Sequence, residues 1–202
     1  PDRSCSPLCN NILRMYSSTP IPPDPNRHLI IPKSTQLDPY GGFPITPPDG
    51  SNYAVKLGND INYLLSGGGA LANSPNSQSE RIRYKITIPN PSSEFFIIFQ
   101  YALVYEEPKN IPHEPYEHPR FIAKLVDPVT NTADICANFD FNSSDPTGFL
   151  VSPIRTPRAI VLYKPWDRVY INLSKYPPGK EVYLEFSTAD CTLDRKSTRL
   201  NS

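Results

Sequence analysis

From Arg81 the chain reads RIRYKITIP, with Ile82, Tyr84, Ile86 and Ile88 alternating against Arg81, Arg83, Lys85 and Thr87. Successive side chains of a strand point to opposite faces, so this pattern predicts a half-buried antiparallel strand with one apolar and one charged face. EFFIIFQYALVYE, Glu94 to Glu106, is apolar on both parities over much of its length, which predicts a central strand covered on both sides. RVYINL and EVYLEFST alternate again, through Val169, Ile171 and Leu173, then Val182, Leu184, Phe186 and Thr188. The turn SKYPPGK between them predicts a hairpin or a sandwich corner. Shorter candidate strands are YAVKLG (Tyr53 to Gly58), RFIAKLVD (Arg120 to Asp127), ICANFDF (Ile135 to Phe141) and AIVLYK (Ala159 to Lys164). About eight strands, with no segment of helical period beyond a short turn at NNILRMY, specify an all-β fold. The expected form is a two-sheet antiparallel β-sandwich, jelly-roll or galactose-binding/MAM-like.

Composition sharpens that picture. The 202 residues include 25 prolines against nine glycines, a balance that disfavours long helices, and the length suits one domain with a substantial core. The expected organisation is an irregular N-terminal arm over 1–37, a β-sandwich domain over 38–193 and a tail over 194–202. Proline-rich Pro20 to Pro48 reads as an arm laid over the sandwich, and SGGGALANSPNSQS, Ser66 to Ser79, as a surface loop. The tail RKSTRLNS resembles translated adapter read-through and is expected to be non-native or disordered. A sandwich ending near Cys191 would then lack a terminal strand and leave an unpaired edge. Pro1 with no initiator methionine or apolar leader points to a removed signal or a fragment.

Twenty basic and twenty acidic residues cancel, so no net field favours nucleic acid or an anionic membrane surface. The longest apolar run is broken by Gln100, and membrane insertion is not expected. The four cysteines, Cys5, Cys9, Cys136 and Cys191, form no C-x-x-C pair, which disfavours a zinc ribbon or redox site. A Cys136–Cys191 disulfide would close a loop of about 56 residues and stabilise the fold by roughly 4 kcal/mol. The alternative is two buried thiols.

Four segments, DPYGGFPITPPDGSNYAVKLGN, FQYALVYEEP, HEPYEHPRFIAKLVD and INLSKYPPGKEVYLEFSTADCT, resemble in order and wording the jelly-roll modules near the N-termini of large secreted Bacteroidota surface proteins. Such proteins often carry PKD-type repeats and a type IX secretion, gliding-motility-type C-terminal sorting domain. The resemblance spans roughly Asp38 to Thr192. His113 falls on the histidine of the family's EDPxHxxxxQPRF-like stretch, Glu106, Glu107 and Pro108 on its acidic pair and proline, and Pro119 to Phe121 on its end. His118 replaces the glutamine. Tyr163 to Trp166 answer a YKDW-like stretch with Pro165 in place of the acid. Cys191 matches the family's DC cysteine, but the strand that follows it in the family is absent, as is the family's opening strand. The resemblance implies a secreted or cell-surface module within a larger chain, serving adhesion or surface architecture beside other domains.

Candidate chemistry concentrates in HEPYEHPRF, His113 to Phe121. The spacing matches neither H-E-x-x-H nor H-x-x-E-H, and Pro112, Pro115 and Pro119 exclude the helix those motifs require. A folded-back loop could still bring His113, Glu117 and His118 to a ligand. Glu106, Glu107 and His113 are the candidate metal ligands, and the glutamates would favour calcium. The other reading is a solvated polar loop. Tyr163, Trp166 and Asp167 are the second candidate group, either an aromatic platform for a sugar ring or a plug at one end of the sandwich. No G-x-S-x-G and no serine or cysteine in a recognisable nucleophile context occurs, so no catalytic residue is assigned. The expected partner is a glycan or another surface protein, and the alternative to an architectural role is a carbohydrate-binding module, calcium-dependent if the loop holds a cation.

Overall fold

The computed structural model describes residues 28–58, 79–90, 94–109, 118–154 and 159–189, together with the backbone of 198–201. The strands in it are β1 (His28–Pro32), β2 (Tyr53–Leu57), β3 (Ser79–Thr87), β4 (Phe96–Pro108), β5 (Arg120–Val126), β6 (Ala133–Asn142), β7 (Leu150–Val151), β8 (Ala159–Asn172), β9 (Glu181–Ala189) and β10 (Thr198–Asn201). One sheet has the order β1-β2-β10-β4-β8-β7 and the other β3-β9-β5-β6, all pairs antiparallel. The all-β sandwich expected from the alternation is therefore the architecture, with no helix among the described residues. NNILRMY and 66–78 lie outside them.

Between the sheets, Tyr101, Leu103, Tyr105, Phe121, Leu125, Leu173 and Leu184 form the main core. The turn between β8 and β9 is a sandwich corner rather than a hairpin, because β8 belongs to the first sheet and β9 to the second. AIVLYK and RVYINL, which read as two strands, are one. β8 runs through Pro165, and its register against β4 shifts between Tyr101 opposite Asp167 and Leu103 opposite Lys164. The extra residue is a bulge, the place where a strand tolerates a proline that cannot donate to the ladder. It also inverts side-chain parity: Val161 and Tyr163 face outward from the first sheet, whereas Val169 and Ile171, on the same parity, enter the main core.

A second apolar cluster lies on the outer face of the first sheet, where Phe43 covers Ala102, Val104 and Val161 with Tyr40, Tyr163 and Trp166 packed around it. The turn that presents Phe43 is closed by Asp38, whose Oδ1 accepts the backbone N–H groups of Tyr40 and Gly41 at 2.9 Å each. Position 41 must be glycine, since a Cβ would stand 2.4 Å from the Phe43 ring and 2.7 Å from that of Tyr163. Burying a phenylalanine in this way contributes about 1.5–3 kcal/mol. Ser152 Oγ donates to the Tyr40 carbonyl at 2.7 Å and ties the same segment down.

Three of the expected features fall at least partly on described residues. His28–Pro32, within the segment read as an irregular arm, pairs along its whole length with β2. Thr198–Asn201, within the tail read as non-native or disordered, pairs with both β2 and β4. Two facing strand edges offer a slot of backbone donors and acceptors that a segment can fill regardless of its side chains. Of the expected Cys136–Cys191 pair, only Cys136 lies among the described residues. Ala189 stands opposite Arg120, itself paired with Asn142. Cys136 lies well back along β6, about 20 Å from Asn142 at about 3.3 Å per residue. Cys136 is instead an exposed free thiol, which also removes the buried alternative for it, while Cys191 lies outside the described residues.

Candidate functional site

The expectation that Glu94 to Glu106 is covered on both sides holds for only half of β4. At Ala102 and Val104 the outer face lies beneath Phe43 and is buried. Toward the start of the strand nothing among the described residues covers it: Phe96 is 46% exposed and Ile98 56%. The partner strand continues the bare area, with Tyr170 at 59%. Register sets the layout, since Phe96 pairs with Asn172, Ile98 with Tyr170 and Gln100 with Arg168. Their neighbours Ile97, Phe99, Val169 and Ile171 point into the main core, so these six side chains share the outer face.

A polar rim closes one end of this strip. Asp49, on the turn that follows the Phe43 segment, accepts hydrogen bonds from the Ser51 backbone N–H at 2.9 Å and the Ser51 hydroxyl at 2.7 Å, and from the Gln100 side-chain amide. The Ser51 backbone donor first, then its hydroxyl, with smaller contributions from Gln100 and the Arg168 charge, hold its carboxyl below the usual aspartate range. Two exposed aromatic side chains and an isoleucine thus share a face with an ionised carboxylate, an amide and a guanidinium. Apolar faces for a ring and directed groups for hydroxyls together form a surface able to hold a polyol.

The residues singled out from sequence do not converge on one place. Trp166 packs in the Phe43 cluster on the outer face of the first sheet, rather than at an end of the sandwich, and donates its Nε1–H to the Pro44 carbonyl at 2.7 Å. Tyr163 stacks on Phe43 with centroids 6.2 Å apart. Asp167 sits between Lys164 Nζ at 3.0 Å and the Tyr101 hydroxyl, which donates to it at 3.4 Å. Burial raises its pKa, but Lys164 and the Arg168 backbone N–H outweigh that and leave it lowered. His118 Nδ1 is 3.0 Å from Glu107 Oε1, and Ser143 Oγ donates to Glu107 Oε2 at 2.5 Å while standing 3.3 Å from the same imidazole nitrogen. Hydroxyl and carboxylate share one ring nitrogen, whereas a nucleophile relay needs one on each. Glu106 and Glu107 project to opposite faces of β4, so they do not converge on one cation. Among the described residues no group of three or more His, Cys, Asp or Glu could hold a metal ion. His113 and Glu117 lie outside the described residues.

A cleft of about 210 Å³ opens between the β5–β6 turn and the sandwich corner, lined by Asp127, Asp134, Tyr176, Lys180 and Val182 among others. Asp127 accepts from Lys180 Nζ at 3.0 Å and from the backbone N–H groups of Val129 and Thr130 at 2.9 and 3.2 Å. Those donors, Lys180 first, bring its pKa down to about 2. Lys175 at 2.6 Å, then the Tyr176 hydroxyl, lower that of Asp134. The arrangement ties two turns together through paired charges. A carboxyl held below its unfolded value stabilises the fold above that value, and the contribution is lost as pH falls through the folded one. Asp127→Asn is therefore expected to flatten the acid limb of the melting temperature between pH 3.8 and about 2 relative to the wild type. Parallel curves from a thermal melt at each pH would refute the assignment.

No family model matches the chain, and no curated protein does. Two chains of known structure match. One of them is TmCBM61 in complex with β-1,4-galactotriose, 9% identical, with a TM-score of 0.34 over 76% of this chain and 69% of that one.

Sequence reasoning missed the bare strip altogether. Phe96 and Ile98 read as core because their neighbours Phe95 and Ile97 are equally apolar, and Tyr170 hides between Val169 and Ile171. The available signal was the proline inside YKPW, which marks the bulge and so tells which parity of β8 turns outward.

Proposed function

We propose that this β-sandwich is a glycan-binding module of a secreted or cell-surface protein, and that the bare half of the first sheet's outer face is its binding surface. The observation carrying this reading is the exposed Phe96, Ile98 and Tyr170 beside Gln100, Arg168 and Asp49 on one face. A sugar ring presents an apolar face for stacking and equatorial hydroxyls that need donors and acceptors at its rim. The strip supplies both. Its dimensions favour a short oligosaccharide over a protein: about 14 Å along the strands and about 10 Å across them, against the roughly 800 Å² per partner of a stable protein interface.

Tyr170 is the residue to test, because it is exposed on the outer face, opposite Ile98 at the centre of the strip, and its removal leaves the core untouched. Against a panel of soluble neutral polysaccharides that includes β-1,4-galactan, affinity electrophoresis is expected to show at least one retarding ligand. Tyr170→Ala should weaken that ligand about tenfold, which corresponds to about 1.4 kcal/mol, with an unchanged melting temperature. Retention by no member of the panel, or retention that Tyr170→Ala leaves intact, would overturn the proposal.

A further inference from the structure

We infer that the strip on the outer face of the first sheet selects glycans carrying a uronic acid, whose carboxylate pairs with Arg168 while its sugar ring packs against Tyr170. The inference rests on the glycan-binding reading above and adds to it the chemical class of the ligand. Arg168 and Tyr170 are both exposed and stand two residues apart on β8. Their partners across the ladder are Gln100 and Ile98, so cation and ring occupy neighbouring positions of one face. Two residues span about 6.6 Å of strand. A carboxyl oxygen stands about 4 Å from the centre of the pyranose that carries it, by standard bond lengths. One hydrogen bond of about 2.9 Å covers the rest.

The guanidinium is the unused group of this surface. Arg168 donates its backbone N–H to Asp167 Oδ1 at 2.8 Å, and among the described residues no carboxylate lies within ion-pair distance of its side chain and no acceptor takes its side-chain N–H groups. Asp167 is itself engaged by Lys164 Nζ at 3.0 Å and by the Tyr101 hydroxyl at 3.4 Å. Asp49 is the other acid in reach of the Arg168 charge. Its Oδ1 takes both Ser51 donors and its Oδ2 the Gln100 amide, and Arg168 comes last among the influences that hold it ionised. Five N–H donors in a planar fork therefore stand open beside an aromatic side chain.

That fork favours an acid over a hydroxyl. A sugar hydroxyl fills one of its donors, whereas a carboxylate fills two in parallel, and charge-assisted bonds are roughly twice as strong as neutral ones. A phosphate polymer fits poorly, because its dense row of charges needs an extended basic track and here meets Asp49 and Asp167 on either side of one guanidinium. A uronic acid brings a single charge together with an apolar ring face. Tyr170 and Arg168 thus read the two halves of one sugar.

The test compares retention of the whole chain in gels containing polygalacturonate or the same polymer fully methyl-esterified, which keeps the sugar and removes its charge. The acid form is expected to bind about fivefold more tightly. Arg168→Gln should abolish that preference, leave affinity for the ester within about twofold and keep the melting temperature, since the exposed side chain holds no partner among the described residues. Arg168→Lys, which keeps the charge and loses the fork, should retain only part of the preference. Tyr170→Ala should weaken both forms together. Equal affinity of the wild type for acid and ester would sink this inference and leave the glycan-binding reading standing. Retention by neither form sinks the inference alone if a neutral polysaccharide still retards the chain, and sinks both readings if none does. A preference that survives Arg168→Gln, or that Lys85→Gln on the other sheet lowers equally, would reduce the effect to general charge attraction and refute the pairing.

Discussion

Phe121→Ala is expected to destabilise the sandwich by about 3–5 kcal/mol, the range for removing a fully buried aromatic ring. Phe121 is 0% exposed. Its ring lies 5.8 Å from Tyr101 across the space between the sheets, and 6.1 Å from both Phe141 and Phe186, its neighbours on either flanking strand. Tyr101 and Phe141 are themselves 4.7 Å apart, and Phe99 reaches Phe186 at 5.0 Å. The ring is thus where four strands from both layers meet, and flat neighbours cannot collapse into the gap it would leave. A urea titration monitored by near-ultraviolet circular dichroism measures the effect. A loss below about 1 kcal/mol would show that this aromatic stack is not the centre of the core.

Trp166→Ala carries the second largest effect and separates two readings of the tryptophan. As the plug beneath residues 38–46, it loses contact with Phe43 and the hydrogen bond to the Pro44 carbonyl. For a half-buried ring the expected cost is about 2–3 kcal/mol, below the range for a fully buried one, of which about 1 kcal/mol belongs to the hydrogen bond. Trp166→Phe, keeping a ring without the N–H, should recover most of the difference. Glycan affinity should fall little in either variant, because Tyr170, Phe96 and Ile98 stand outside the cluster. The opposite result, full stability with binding abolished, would restore the sugar-platform reading of Tyr163, Trp166 and Asp167 and displace the Tyr170 strip.

The placement of these residues was unevenly legible. Arg81 to Ile88 could be assigned to a strand, and its charged parity to an outer face, from alternation alone. That Ile82 and Tyr84 remain 36% and 67% exposed on the core-facing parity could not, because β3 is the edge of its sheet and exposure depends on what the facing layer covers. Cys136 and Cys191 illustrate the same limit. An even cysteine count permits a bridge or buried thiols, but only the tertiary structure shows that Cys136 is an exposed free thiol.

Charge behaves similarly. Twenty acidic and twenty basic residues cancel as a sum, yet that sum does not show that Glu185 meets Arg81, Arg83 and Lys124 from two other strands. Arg83 and Glu185 are separated by 102 positions. No window of the chain contains both.

What the amino-acid order determined alone is the fold class: side-chain direction alternates residue by residue, so apolar and polar parities are written locally and only stacked sheets can bury them. Which parity of β8 meets solvent, what Trp166 packs against, and where three cations share one carboxylate were decided by the tertiary structure. Each depends on a cross-strand neighbour or a bulge. The free energy of such a contact belongs to a pair of positions brought together by folding, and neither member encodes it by itself.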